Sequence, residues 1–403
     1  MNNKTIIILG GGYNQISMFL VAKNSGYRTI LCDAKRDVVC QQYADEYFQI
    51  DISKAEEIIK VVEQTGADGI ISNTESLMMC LSEVQSATGL MGNSAEAVEK
   101  LINKYSFRSE LKKAGLFSPE TYRVSTYSEA EEYLNSHNFP LIVKPEKSSG
   151  SRGTYIVRKK DDFNEMAFED SIKYSRSSKV LIEDFVDMSG KTAVEAEMFV
   201  YDGKIEHLCC FRTLRDKKYR TIPQCYCSDT ELDGKILQKI YDELALLVKQ
   251  IGITWGEYNV ELSFNENNEI FIIEINARQG GMRLPEFVRI YTGIDMNKLL
   301  VSTAVNDTSY LEELRRNKPV SDKNIIHFRL LCEDEGIYKG LVIEPELEQY
   351  LTESFFYYLE GEKITPTKHS MASVGVLDFK FNDSETRKKY EERLFEAIKI
   401  VVE

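Results

Sequence analysis

Histidine is scarce in this chain, with four among 403 residues, and none of the eight cysteines falls into a CxxC pair. The two close pairs, Cys209 with Cys210 and Cys225 with Cys227, have the wrong spacing for zinc, which argues against a structural or catalytic zinc site. Long apolar runs are absent. The first, 6–9, is too short for a signal-peptide core, and nothing reaches the roughly 18 residues of a membrane span. With unpaired thiols, that points to the cytoplasm. Positive charge is also in deficit: 50 basic against 64 acidic residues leave a net charge of −14. No general attraction to nucleic acid or to an anionic membrane follows, so any bound phosphate must be held by a local site. A Walker loop, GxxxxGK[ST], is missing, as are repeats and low-complexity linkers.

What remains is an ordinary globular composition, 43% hydrophobic and 28% charged, at a length suited to two or three packed domains. Strands at 5–9, 29–32 and 69–72 alternate with helices at 15–24 and 54–64, the pattern of a doubly wound parallel sheet. One or two helices follow over 95–114. A helix is expected over 235–251, where Ile236, Ile240, Leu244, Leu247 and Ile251 recur at helical spacing and Gly252 can cap the end. Strands over 257–264 and 270–277 read as a hairpin, and a charged amphipathic terminal helix is expected from about Glu385.

The hairpin carries the strongest chemical signal. Alternate side chains of a strand share a face. Val260, Leu262 and Phe264 therefore oppose Asn259, Glu261 and Ser263, while Phe271, Ile273 and Ile275 oppose Glu274, Asn276 and Arg278. Two carboxylates and an amide oxygen are hard ligands suited to magnesium, and Arg278 can grip a phosphoryl or carboxylate group. A hairpin with one solvated face has the same pattern, but the compact ending Glu274-Ile-Asn-Ala-Arg-Gln-Gly-Gly281 favours function.

Upstream, a strand delivers Lys144 into the Ser/Gly-rich segment 148–153, which can fold its amides over phosphates or serve only as a linker. Lys104, alone on a helix, is a weak signal. The apolar strand Val180-Leu-Ile-Glu-Asp-Phe-Val186 ends in acids and can read an adenine edge or be plain core.

Taken in order, these segments resemble the ATP-grasp superfamily of carboxylate–amine ligases, which includes L-amino acid ligases, carbamoyl phosphate synthetase and phosphoribosylglycinamide synthetase-type enzymes. The resemblance covers roughly residues 94–295. It implies that Lys104, Lys144 and the lid residues Ser148, Ser149, Gly150, Ser151 and Gly153 contact ATP phosphates. It implies further that Glu183, Asp184, Phe185 and Val186 hold adenine, that Glu261, Glu274 and Asn276 hold Mg2+ (Mn2+ as a substitute), and that Arg278, with Lys144, is catalytic. The ribose contact departs from the family pattern: Ala193 stands where a glutamate is usual, with Glu195 and Glu197 beyond it.

The implied architecture, α/β and α+β, has three parts. A Rossmann-like domain over 1–93 with a doubly wound parallel sheet precedes an ATP-grasp domain over 94–305 with a lid at about 115–182, and a small α+β domain over 306–403 follows. The implied reaction joins a small-molecule carboxylate to an amine through an acyl phosphate, releasing ADP and phosphate. No nucleic acid or membrane partner is expected; a homodimer stays open. Competing readings are a purine-pathway or carboxylase-like relative, a nucleotide-binding protein without turnover, and a dinucleotide-binding oxidoreductase. The last rests on Gly10-Gly-Gly-Tyr-Asn-Gln15 with Asp33 about twenty residues on, although Gln15 replaces the third glycine. The basic run Arg212, Arg215, Lys217, Lys218 and Arg220 reads as a solvated loop or as one that receives an anionic substrate.

Overall fold

The computed structural model describes residues 4–148, 152–215, 222–317, 319–367 and 373–403. Four strands, β1 (Thr5–Leu9), β2 (Arg28–Asp33), β3 (Glu46–Gln49) and β4 (Gly69–Ile71), form a parallel sheet in the order β3-β2-β1-β4. Ile6, Ile7, Ile8 and Leu9 are all fully buried, because helices α1 (Ile16–Asn24), α2 (Ala55–Thr65) and α3 (Met78–Thr88) leave neither sheet face in water. The stretch over 95–114 divides at Asn103 into α4 (Ala95–Ile102) and α5 (Lys104–Lys113), whose N-cap Asn103 accepts the Ser106 N–H.

A second sheet has antiparallel strands β5 (Thr121–Val124), β6 (Leu141–Pro145), β7 (Tyr155–Val157) and β8 (Val180–Asp184) in the order β5-β8-β6-β7. It packs with α6 (Tyr127–Ser136) and α7 (Glu165–Tyr174) around Val124, Leu134, Val143 and Phe168. Ser149, Gly150 and Ser151 of the expected lid loop lie outside the described residues, as do Lys217, Lys218 and Arg220 of the basic run.

The largest sheet has eight strands. It contains β9 (Val194–Tyr201), β10 (Lys204–Leu214), β11 (Cys225–Cys227), β12 (Trp255–Phe264), β13 (Ile270–Asn276) and β14 (Ile325–Leu330). Beyond these, β15 (Gly336–Ile343), β17 (Lys363–Ile364) and β19 (Ile398–Val402) make a small separate sheet, while β16 (Leu351–Phe356) and β18 (Gly375–Lys380) join the large one. Its order is β13-β12-β9-β10-β11-β14-β18-β16, so one sheet runs through the boundary expected at 305/306. Helix α8 (Gly234–Ile251) covers one face with Ile240, Leu244, Leu247 and Ile251, and ends at Gly252, where φ of +84° suits glycine. The chain then returns through α9 (Leu284–Thr292), α10 (Met296–Ala304) and α11 (Ser309–Arg316). Helix α10 packs against α1 and β4, which seats the first sheet on the large one.

Two expectations need correction. The terminal helix begins where expected, at Ser384–Glu391, but after one further short helix, Leu394–Ala397, the chain ends in strand β19. There, β-branched Ile398, Ile400 and Val402 alternate at strand spacing, and their partner is β15. On β13, the core-facing residues are Ile270, Ile272 and Ile275, not Phe271, Ile273 and Ile275. A bulge breaks the alternation: Glu261 pairs with Glu274 but Leu262 pairs with Ile272, leaving Ile273 as the extra residue. No helix among the described residues is long and apolar enough to cross a membrane.

Gly69 tests the seating of the two sheets. A Cβ there would stand 2.4 Å from the Ala304 carbonyl oxygen, whereas one at Gly234 meets nothing within 4 Å. Gly69→Ala should cost about 1–3 kcal/mol in denaturant unfolding, and Gly234→Ala should stay within about 0.5 kcal/mol of the parent. Equal stability of the two variants would overturn this account of the interface.

Candidate functional site

The site begins with the polar face of the hairpin. Antiparallel partners share a face, so Asn276, Asn259 and Glu197 form one row, and Glu274, Glu261 and Glu195 the next. The Ile273 bulge sets this pattern, because it returns Glu274 and Asn276 to the face opposite Ile275. Glu261 is half-buried; burial, then Glu274 and Glu195, push its carboxyl well above the usual range. Burial would push Glu274 up too, but Lys104, the Asn276 amide, Arg278 and Lys144 together hold it below its ordinary value. The Asn276 amide nitrogen stands 3.3 Å from both Glu274 Oε1 and Asn259 Oδ1.

Among the described residues no three His, Cys, Asp or Glu side chains converge as a metal-binding group. The candidate set of Glu261, Glu274 and Asn276 is instead two carboxylates with an amide, all oxygen donors. Its fit to a divalent cation rests on the crowding: acids paired across the register, with Glu261 driven toward neutrality by burial and then by its acidic neighbours, are what such an ion would relieve.

Facing this acidic patch is a positive one. Lys144 on β6 and Arg108 on α5 meet the buried Glu183 of β8: Lys144 Nζ lies 2.5 Å from Oε2 and Arg108 Nε 3.1 Å from Oε1. Arg108 also donates to the carbonyls of Ile272 and Ile273, at 3.3 and 2.9 Å, and lies over the Phe271 ring. It thereby satisfies backbone oxygens at the bulge. Burial favours the neutral acid at Glu183, yet Arg108 and Lys144 hold it at about 2. Burial, reinforced by Arg108 and Lys104 against the pull of Glu183, brings Lys144 down to about 8. Two cations on one carboxylate leave a net positive charge, available to a phosphate. Lys104 Nζ donates to the Ser148 carbonyl at 2.9 Å, at the edge of the lid loop.

Beyond Glu183, the Asp184 and Phe185 amides donate to the carbonyls of Glu120 and Pro140, and Val186 is buried. The Val186 amide, unlike the other two, has no such backbone partner among the described residues. Gly153 has φ of +67°, and its carbonyl accepts the Ser171 hydroxyl at 2.7 Å. Arg278 is held by Glu75 at 3.0 Å, and Glu75 also faces Arg176 at 3.6 Å.

Reading the residues in sequence order missed several of these groups. Arg108 was visible as the i+4 neighbour of Lys104 on one helix face. Glu195 and Glu197 alternate on β9, and only their register with Glu261 and Asn259 gives them a place. Glu197 accepts the Gly280 N–H and the Asn259 amide, and burial raises its carboxyl to about 7. Glu75 had no local signal. Asp33, the acid of the dinucleotide reading, accepts the Gly11 N–H at 2.8 Å and so braces the glycine turn itself. Arg212 pairs with the buried Glu391, and Arg215 is exposed.

A family model described as carbamoyl-phosphate synthase L chain, ATP binding domain, matches residues 103–309. The carbamoyl phosphate synthase large chain of Vibrio cholerae is 23% identical over 322 residues, which cover 75% of this chain and 29% of that protein. The chain thus spans under a third of that relative's length. Among solved structures, phosphoribosylglycinamide synthetase from Anaerococcus prevotii aligns with a TM-score of 0.78 at 22% identity, covering 100% of both chains. L-amino acid ligase from Bacillus licheniformis aligns at 0.81 and 19%, again over 100% of both.

The depressed Lys144 makes nucleotide binding report on protonation. Below pH 8 the ammonium is already present, and above it the free protein loses that proton. Polyphosphate favours the charged form, so ATP binding just above pH 8 should take up a proton, and uptake should vanish well below pH 8. Calorimetry in two buffers of different ionisation enthalpy measures this, and Lys144→Met should abolish it. Proton release on binding would contradict the placement.

Proposed function

The chain belongs to the family of the carbamoyl-phosphate synthase L chain ATP-binding domain, and from that premise we propose that it is an ATP-dependent ligase that joins a carboxylate to an amine. The observation that carries this reading is convergence. Lys104, Lys144 and Arg278 all act on Glu274, which stands directly across the hairpin from Glu261. In this reading the cations would cradle a polyphosphate beside an oxygen-only metal set.

In this reading the triphosphate lies between the lid sheet and the hairpin. Lys104, Lys144 and the lid loop 148–153 grip its phosphates, with Glu183 to Val186 along the adenine. Bound Mg2+ on Glu261, Glu274 and Asn276 supplies charge neutralisation to the phosphates. A carboxylate oxygen of the substrate forms a bond to the γ-phosphorus as the bond to ADP breaks. The amine nitrogen then attacks the acyl carbon, phosphate leaves with the C–O electron pair, and the amine proton is lost. Arg278 stabilises charge on the transferring group, and it must exchange its Glu75 partner for that group to do so. Positioning and electrostatics carry the rate, so no side-chain nucleophile is required. The reading locates the enzyme in the cytoplasm, where its eight buried free thiols remain reduced.

The reaction is checked by its products. A panel of acids with Mg-ATP and hydroxylamine should yield ADP, phosphate and a hydroxamate, whereas adenylation would yield AMP and pyrophosphate. Glu274→Gln should lose most of that activity, on the order of a hundredfold or more, with its unfolding midpoint nearly unchanged. Arg278→Ala should depress hydroxamate formation more than it weakens ATP binding. AMP as product rejects the acyl-phosphate route; full activity in Glu274→Gln rejects the metal set.

A further inference from the structure

Just past Arg278 the chain makes a turn that the proposed transfer chemistry does not account for. Met282 and Arg283 both adopt left-handed backbone, with φ of +54° and +60°, a conformation that costs free energy in bulky residues. Three contacts hold it. The Gly280 N–H donates to both oxygens of Glu197 at 3.0 Å, and the Arg278 guanidinium donates to the Gln279 carbonyl at 2.8 Å. From the other side, His327 Nε2 donates to the Met282 carbonyl at 2.9 Å, and its Nδ1 lies 2.7 Å from Asp378.

The turn aims Arg283 at an aromatic group. Its guanidinium carbon lies 4.3 Å from the centre of the Phe355 ring. Tyr357 packs edge-on to Phe355 at 5.3 Å, and Tyr13, from the N-terminal glycine turn, meets both rings at 6.1 and 6.0 Å. The Tyr357 hydroxyl is buried and has no hydrogen-bond partner among the described residues. Burial pushes its phenol up to about 12, against the pull of Arg283 and Arg329 nearby. A buried hydroxyl held as a donor beside a guanidinium lacks one thing, an acceptor.

We propose that Arg283 and the Tyr357 hydroxyl form a subsite for a carboxylate on the second substrate, with Tyr13 and Phe355 as its apolar wall. This rests on the ligase reading. The carboxyl that is activated must meet the transferring phosphoryl at Arg278, so an anion gripped beyond the glycine turn belongs to the other substrate. Charge selects a carboxylate over a phosphate dianion. Glu286 stands 3.7 Å from Arg283 and already offsets part of its charge, which leaves too little to balance a dianion. The planar guanidinium, braced on Phe355, presents a fork that suits a carboxylate bidentately.

Calorimetry on the full chain with Mg-ADP tests this without turnover, using 3-phenylpropionate, 3-phenylpropionamide and inorganic phosphate as probes. The acid should bind, with the amide weaker by about tenfold or more. Arg283→Gln should weaken the acid by about tenfold to a hundredfold, the range for a charge-assisted hydrogen bond, and Tyr357→Phe by a smaller factor. Tyr357→Phe removes one oxygen and keeps the packing, so it guards against a folding artefact in Arg283→Gln. Failure of the acid to bind, equal binding of acid and amide, or unchanged binding in both variants overturns the subsite. Phosphate binding as tight as the acid and lost in Arg283→Gln overturns the carboxylate assignment in favour of a phosphorylated substrate. Arg283-dependent acid binding in a protein that never forms ADP would reject the ligase reading and leave the subsite standing.

Discussion

A single buried guanidinium, that of Arg108, ties the candidate site together. It is 2% exposed, rises from the helix that begins with Lys104, and bonds Glu183 of the lid sheet on one side and the carbonyls of Ile272 and Ile273 on the other. Lid, helix and hairpin are thus registered by one side chain. Arginine suits this place because it stays charged when buried and offers several donors in a fixed plane. A lysine would satisfy Glu183 but could not also reach both carbonyls in the same plane. Breaking such a buried pair from one side typically costs about 3–5 kcal/mol, because the partner charge remains. Here Lys144 would retain part of Glu183's compensation, so the larger loss would be of register.

The electrostatics on the two sides of the cleft are unbalanced in opposite senses. On the lid side Lys104, Lys144 and Arg108 outnumber Glu183; on the hairpin side Glu195, Glu197, Glu261 and Glu274 outnumber Arg278. Neither excess is comfortable in a low-dielectric interior. An anion against the first and a cation against the second relieve both, and a metal–polyphosphate complex is both at once. Burial shifts Lys144 down and Glu261 up on the two sides of this cleft, each toward its neutral form.

The sequence disclosed the site better where its residues are local than where they are brought together. The helical spacing of Ile240, Leu244, Leu247 and Ile251 reflects one buried face, and α8 carries it. The alternation of Val260, Leu262 and Phe264 also reads directly, because β12 runs without interruption against β9. Phe271 and Ile273 misled, since a bulge has no local signature in an apolar run and one extra residue shifts each later position to the other face. Glu195 and Glu197 were legible only as the acids beyond Ala193 at the ribose position, and the register of β9 against β12 is what places them beside Glu261 and Asn259. Glu75 and Arg278 are 203 residues apart, so nothing short of the fold pairs them. Period and composition report neighbours in sequence; a catalytic constellation consists mostly of neighbours in space.

That distinction bears on the last third of the chain. The large sheet continues from the hairpin through β10 and β11 into β14, β18 and β16, so the C-terminal strands share one surface with Glu261 and Asn259. The Gln279-to-Arg283 turn spans that surface and is held from both halves, by Glu197 on β9 and by His327 on β14. Gly280 shows how closely it is held, since a Cβ there would stand 2.4 Å from Glu197 Oε1 and 2.5 Å from Leu284. The left-handed Met282 and Arg283 persist because the surroundings over-determine them. A shift of β14 relative to β9 would therefore move the turn, and with it Arg278 on one side and Arg283 on the other. In the proposed reaction these two arginines face the transferring group and the second substrate, so the rigidity of one eight-stranded sheet sets the distance across which the two substrates must meet.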